Sequence, residues 1–267
     1  MNQSEFQEII WQKAGELYRE MPWRQDTRPY YILVSELMLQ QTQVDRVVPK
    51  FNAFIDRFPD EASLAQASLA DVLVLWQGLG YNRRAKYLHD AAKKIVDEMN
   101  GIFPDDVVTL QSLPGVGPNT AGAIMAYAYN QPVIFVETNI RTVYFHHFFH
   151  DDNAVDDKQI IELLESTIDR ERPREFYWSL MDYGSLLKRA GASKINQSKH
   201  YKKQSPLAGS VREVRGQIIK YLATADMTEQ DLQQQLRADD RFQSALSGLK
   251  RDGLVMSSRT GKLHLTK

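Results

Sequence analysis

Apolar residues recur along this chain at spacings of three and four, the pattern of amphipathic helices rather than of strands. From Gln43 onward, Val44, Val47, Val48, Phe51, Phe54, Ile55 and Phe58 share one face, which stops before Pro59. Ser68 is placed to cap a helix carrying Leu69, Val72, Leu73, Leu75 and Trp76, ended by Gly78 and Gly80. Leu88, Ala91, Ala92, Ile95, Val96 and Met99 line a further face, closed by Asn100-Gly101. Val107, Val108 and Leu110 predict a short helix, and Pro118 fits the first turn of the next, where its missing N–H costs nothing. No alternating pattern occurs before residue 250, so the first 205 residues read as all-α.

The pattern changes at Gln204-Ser205-Pro206-Leu207-Ala208-Gly209, a plain interdomain joint. Beyond it, Ile218, Ile219 and Leu222 predict one helix, Thr228 caps a second with Leu232 and Leu236, and Phe242, Ala245, Leu246 and Leu249 mark a third. The tail alternates weakly around Thr260-Gly261, which suits a hairpin turn. Three helices and a hairpin are the order of a winged-helix module at 208–267. Such a module serves either DNA contact or protein packing.

Composition narrows the class. The 267 residues, 43% hydrophobic and 25% charged, suffice for a full core. No apolar run approaches the roughly 20 residues of a membrane span, and the N-terminus lacks the apolar centre of a signal peptide. A soluble cytoplasmic protein, nucleoid-associated if bacterial and with no membrane partner, is expected. The absence of cysteine excludes disulfides, thiolate zinc sites and cysteine-ligated iron–sulfur clusters. A net charge of −1 decides nothing about nucleic acid, because placement matters more than the sum. Placement is uneven: residues 183–220 hold nine Lys and Arg, among them Lys188, Lys199, Lys202 and Lys203, against the single acid Glu213. That strip is either a solvated linker or a phosphate contact.

The strongest local motif is Leu113-Pro114-Gly115-Val116-Gly117-Pro118-Asn119-Thr120. Gly115 and Gly117 permit positive φ and close backbone approach, and free amides at such a turn and helix start suit a phosphate. A packing corner between two helices would use the same residues.

With this hairpin, four other segments carry a family resemblance. They are Pro22-Trp23-Arg24 with Pro29-Tyr30, then Ser35-Glu36-Leu37-Met38-Leu39-Gln40-Gln41-Thr42, Gly78-Leu79-Gly80-Tyr81 with Arg84-Ala85, and Glu137-Thr138-Asn139-Ile140-Arg141. In order and spacing the chain resembles the endonuclease III and MutY branch of the helix-hairpin-helix (HhH-GPD) DNA glycosylases across roughly residues 20–190. The Ser-Glu-x-Met-Leu-Gln-Gln-Thr stretch is similar to the adenine glycosylase MutY. The resemblance implies an all-α fold of two interleaved subdomains over 1–207, one from 26–135 and one from 1–25 plus 136–207, with the active site between them.

It also implies roles. Glu36 becomes the general acid that protonates the leaving base, among Val34, Leu37, Met38 and Leu39, where an apolar setting raises a carboxyl pKa. Arg24 falls near the catalytic carboxylates, and Asn139 is a further catalytic candidate. Gln40, Gln41 and Tyr81 fill the base stack and hold the orphaned partner base. Gly115, Val116, Gly117 and Asn119 take the DNA backbone, with Lys199, Lys202 and Lys203 as further phosphate contacts.

Departures from the family pattern are specific. Glu137 stands where an aspartate supports the developing sugar cation; it keeps the charge but is longer and a poorer N-cap. Asn119 replaces the Schiff-base lysine of the lyases, implying a monofunctional enzyme. Trp178, in Phe176-Tyr177-Trp178-Ser179-Leu180-Met181-Asp182, takes the place of an adenine-facing glutamine in the base pocket. Lys188 stands at the first of four cluster cysteines, and the large domain that reads 8-oxoguanine is replaced by the short module. The expected partner is double-stranded DNA with a mismatch or lesion, bound by a monomer. No organic cofactor, metal or iron–sulfur cluster is expected, although the resemblance leaves room for a monovalent cation at the hairpin. Thymine or uracil opposite guanine is the rival substrate, and an inactive DNA-binding protein of the same fold the rival class.

Overall fold

The computed structural model describes residues 1–149, 155–195, 198 and 205–267, and in them the apolar spacing becomes helices. In chain order these are α1 (Gln3–Leu17), α2 (Pro22–Gln25), α3 (Pro29–Leu39), α4 (Val44–Arg57), α5 (Glu61–Gln66), α6 (Leu69–Trp76), α7 (Arg83–Glu98), α8 (Val107–Gln111), α9 (Pro118–Tyr127), α10 (Thr138–Phe148), α11 (Asp157–Thr167) and α12 (Pro173–Arg189). The C-terminal part adds α13 (Val211–Leu222), β1 (Met227–Thr228), α14 (Glu229–Leu236), α15 (Arg241–Arg251), β2 (Val255–Ser257) and β3 (Lys262–Leu265). Among the described residues no helix is long and apolar enough to cross a membrane.

Local chemistry sets the boundaries. The Ser68 hydroxyl accepts from the Asp71 amide, and the Thr228 hydroxyl from the Asp231 amide, capping α6 and α14 where the sequence places them. Pro118 opens α9, and Val47, Phe51 and Phe54 of α4 are buried on the face that the spacing marks. β1 has no alternating signature, because two residues are too few to alternate, and it forms by pairing with β3. The sheet is antiparallel in the order β1-β3-β2, with Met227 opposite Leu263 and Val255 opposite Leu265. Helix, strand, two helices and a hairpin give 208–267 the winged-helix order.

The chain folds into two compact units whose division differs from the expected subdomains. One comprises residues 1–32, 105–112 and 116–203; the other comprises 33–104, 113–115 and 204–267. The expected 26–135 segment therefore divides. α9 belongs with the first unit, where Gly122 lies against Phe135, whose ring stacks 4.3 Å from that of Tyr177; every residue from Thr120 to Tyr127 is buried. The 208–267 module belongs with the second unit rather than standing apart. Asp252, at the end of α15 and only 4% exposed at its side chain, accepts from Arg215 of α13 and from Arg83 of α7. A single buried carboxylate shared by two guanidinium groups ties the module to the helical layer, a pairing that no local pattern announces.

Candidate active site

The second unit carries Glu36 and the wedge residues. Ile32, Leu33, Val34, Leu37 and Met38 of α3 are almost wholly buried, each side chain adding about 1.5–3 kcal/mol of apolar transfer. α3 is thereby fixed in rotation, and Glu36 is held half-buried between buried neighbours. The C-terminal carbonyls of α3 need partners, and Arg84 of α7 supplies them. Its guanidinium donates to the Leu37 and Met38 carbonyls at 2.6 and 2.9 Å, to those of Leu79 and Gly80 at 3.0 Å each, and to the Thr42 hydroxyl at 3.2 Å. Burial pushes the Arg84 pKa down to about 10, leaving it charged at neutral pH. One buried cation thus fastens the end of the Glu36 helix to both expected wedge segments.

Gln41 and Tyr81 occupy the left-handed region at φ 57° and 47°, costly for residues with a Cβ. Gln41 is exposed, while Gln40 and Tyr81 are half-buried. Gly115, at φ 79°, lies so close to Tyr87 that an added Cβ would sit 2.8 Å from that side chain.

In the first unit, Val116 is buried while Gly117, Pro118 and Asn119 are exposed at the start of α9. The Asn119 amide donates to the Val136 carbonyl at 3.0 Å, fixing the segment that leads to Glu137. Glu137 occupies the N-cap position of α10 at φ −106° and ψ 171°, yet its side chain makes no capping bond. The extra methylene takes the carboxylate past the helix amides that an aspartate would accept from.

Glu137 keeps part of its surface, but protein surrounds the carboxyl closely enough that burial raises its pKa against the pull of Arg141 and Lys188. Arg141 is held by Asp157 through two bonds of 2.7 and 2.5 Å. Lys188 is an exposed residue whose pKa desolvation nevertheless lowers, against the field of Glu137, which raises it. Beside them the Asn139 amide nitrogen lies 3.9 Å from the Met181 sulfur, while its oxygen is buried with no hydrogen-bond partner among the described residues. Gly184 lets α12 come this close: a Cβ there would lie 2.3 Å from the Asn139 carbonyl oxygen.

Arg24 and Trp178 form a different cluster of this unit. Arg24 donates to both Asp182 oxygens at 2.7 and 3.0 Å and to the Arg19 carbonyl at 3.0 Å, and Arg19 also binds Asp182. The Arg24 guanidinium lies 5.2 Å from the Trp178 ring and 5.3 Å from that of Tyr18, and Trp178 stacks on Tyr127 at 6.4 Å. Its hydrogen bonds make Arg24 an anchor of α2 onto α12. The half-buried Trp178 is part of an aromatic surface that includes the exposed Tyr18.

Lys199, Lys202 and Lys203 lie outside the described residues. The residues present do not fit an iron–sulfur cluster, since the chain has no cysteine and Lys188 offers a cation at the first ligand position. Sequence reasoning placed Arg84 and Asp182 in matched segments without giving either a role, and missed Asp157, which has no local signal beyond its charge.

The profile of the HhH-GPD superfamily base excision DNA repair proteins matches residues 34–170. The chain is 36% identical to an adenine DNA glycosylase of Buchnera aphidicola over 63% of its own length and 48% of that protein, so it spans about half of this relative. It is 34% identical to an adenine DNA glycosylase of Mycobacterium tuberculosis, over 93% of this chain and 89% of that one. A solved thermostable thymine-DNA glycosylase superposes with a TM-score of 0.62 at 23% identity, covering 69% of this chain and 86% of that one, a likeness of fold.

Proposed function

Because the chain belongs to the HhH-GPD superfamily of base excision DNA repair proteins, within its adenine DNA glycosylase branch, we propose that it is a monofunctional glycosylase that excises adenine from mispaired duplex DNA. The observation that carries this reading is Glu36, an ionisable group fixed half-buried on the apolar helix α3.

Adenine leaves poorly as an anion. The Glu36 carboxyl protonates a ring nitrogen of the flipped base, the C1′–N9 bond breaks, and adenine departs neutral. The sugar is left as an oxocarbenium-like cation, for which Glu137 and the buried Asn139 oxygen supply negative potential. Water adds to C1′ and returns a proton to the Glu36 carboxylate, which restores the acid. Asn119 has no amine to form a Schiff base, so the strand stays intact. This hydrolysis needs no organic cofactor, and a monomer on a mismatched duplex suffices for it.

The test is a single-turnover assay on duplexes bearing adenine, thymine or uracil opposite guanine, with and without alkaline strand cleavage. Free adenine with scission only after alkali is expected. Release of thymine or uracil but not adenine would overturn the substrate, and release of no base would leave an inactive DNA-binding protein.

A further inference from the structure

The unit of residues 33–104, 113–115 and 204–267 brings its C-terminal module onto the loop expected to wedge the DNA. The Tyr81 ring is approached by two guanidinium groups, that of Arg84 at 5.6 Å from the ring centroid and that of Arg212 at 4.8 Å. The two arginines do different work. Arg84 is buried and spends its donors on backbone carbonyls and Thr42. Arg212, half-buried in the first turn of α13, donates to the Tyr81 hydroxyl and, through its other terminal nitrogen, to the Ser205 carbonyl at 2.7 Å. α13 cannot drift from this position, because Arg215, one turn along, shares the buried Asp252 with Arg83.

We propose that Arg212 is a positioning residue for Tyr81, through which the C-terminal module sets discrimination of the base opposite the excised one. The proposal rests on the reading of Tyr81 as a wedge residue. A guanidinium has donors only, so the Tyr81 oxygen accepts from it and the phenol's own proton is directed away from Arg212. The charge-assisted bond and the cation over the ring fix both the tilt of the ring and the direction of that proton. Tyr81 holds a strained left-handed backbone at φ 47°, which such external support helps to maintain. A purine partner, which offers a wide stacking face and acceptors along its edge, is read by this fixed phenol more sharply than a pyrimidine.

The experiment compares the full chain with Arg212→Ala, Arg212→Lys, Tyr81→Phe and Tyr81→Ala on duplexes with adenine opposite guanine or opposite cytosine. Single-turnover rates give one discrimination ratio. Dissociation constants measured with each substitution in a Glu36→Gln background give a second that does not depend on chemistry. Arg212→Ala and Tyr81→Phe are each expected to lower the ratio about tenfold, the effect of removing one charge-assisted bond, and together to lower it no further. Arg212→Lys keeps the charge without the two-nitrogen reach of the guanidinium to Tyr81 and Ser205 and falls between, and it carries the test if the alanine variant does not fold.

An unchanged ratio in Arg212→Ala with a reduced one in Tyr81→Ala would overturn the proposal while leaving the wedge in place. Weaker binding to both duplexes with the ratio intact would make Arg212 a simple phosphate contact. If Tyr81→Ala also left the ratio unchanged, the wedge reading itself would fall. Binding discrimination abolished in Arg212→Ala while the wild type excises no adenine would refute the proposed function and leave the positioning role standing.

Discussion

Glu36 and Glu137 share a side chain and differ in what surrounds it. Glu36 has the simpler prediction: Glu36→Gln keeps size and hydrogen bonding but not the transferable proton, so excision should fall by about 100- to 10,000-fold. Duplex affinity measured by anisotropy should stay constant, and a variant with near wild-type single-turnover rates would remove Glu36 as the acid. At Glu137 stability and activity should move in opposite directions. Burial raises its pKa, so the folded state holds the proton more tightly than the unfolded chain. Its contribution is therefore full below the ordinary glutamate range and is lost as pH rises through the folded value. Glu137→Gln should raise the melting temperature at neutral pH by about 2–4 °C, with the gain vanishing below roughly pH 4, while removing most activity. Glu137→Asp should also lose activity, since a retreat of about 1 Å costs roughly 100-fold. The acid limb of the rate profile should lie above the ordinary glutamate range, and Lys188→Met should move it higher by removing one of the two cations that pull the pKa down. A Gln variant as fast as wild type would strike Glu137 from the site. The sequence identifies Glu137 by its place before Asn139 and Arg141, but Lys188 as its electrostatic neighbour depends on how α12 lies against α10.

Helices with a local signature were legible, and the joints between them were not. Ser68, Thr228 and Pro118 announce the starts of α6, α14 and α9 because caps and first turns are decided within a few residues. The fastening of α3 to the 79–81 loop depends on Arg84, whose acceptors lie 46 and 47 residues upstream as well as four and five. Its removal strands several buried carbonyls together, so Arg84→Met should cost about 2–4 kcal/mol in urea unfolding. Arg84→Lys should recover only part, because one ammonium does not reach the same fan of oxygens. A cost within about 0.5 kcal/mol would mean that water replaces the guanidinium. Gly184 makes the matching joint between α12 and α10. A methyl there must displace the Asn139 backbone, so Gly184→Ala should lower the excision rate far more than it lowers duplex affinity, a split that kinetics and anisotropy separate.

For the whole molecule, charge placement outweighs net charge. A chain with a net charge of −1 gains duplex affinity only where cations are concentrated, and the 183–220 strip sets nine of them against one acid. Its members have separate duties. Arg212 and Arg215 are engaged with Tyr81 and Asp252, and Lys188 lies within the field of Glu137. Of the other six, Lys199, Lys202 and Lys203 are the candidate phosphate ligands, so the strip is best tested in two parts. Replacing these three by Gln should weaken binding to matched and mismatched duplexes alike. It should also flatten the dependence of log affinity on log salt by about 0.9 for each phosphate no longer neutralised, with the saturating single-turnover rate unchanged. Lys188→Gln alone should do the reverse, shifting the pH profile while leaving the salt slope in place. An unchanged slope in the triple variant would reduce those three lysines to a solvated linker. A slope lowered by Lys188→Gln with no movement of the pH profile would return that lysine to the phosphate track and leave Glu137 with Arg141 as its cation.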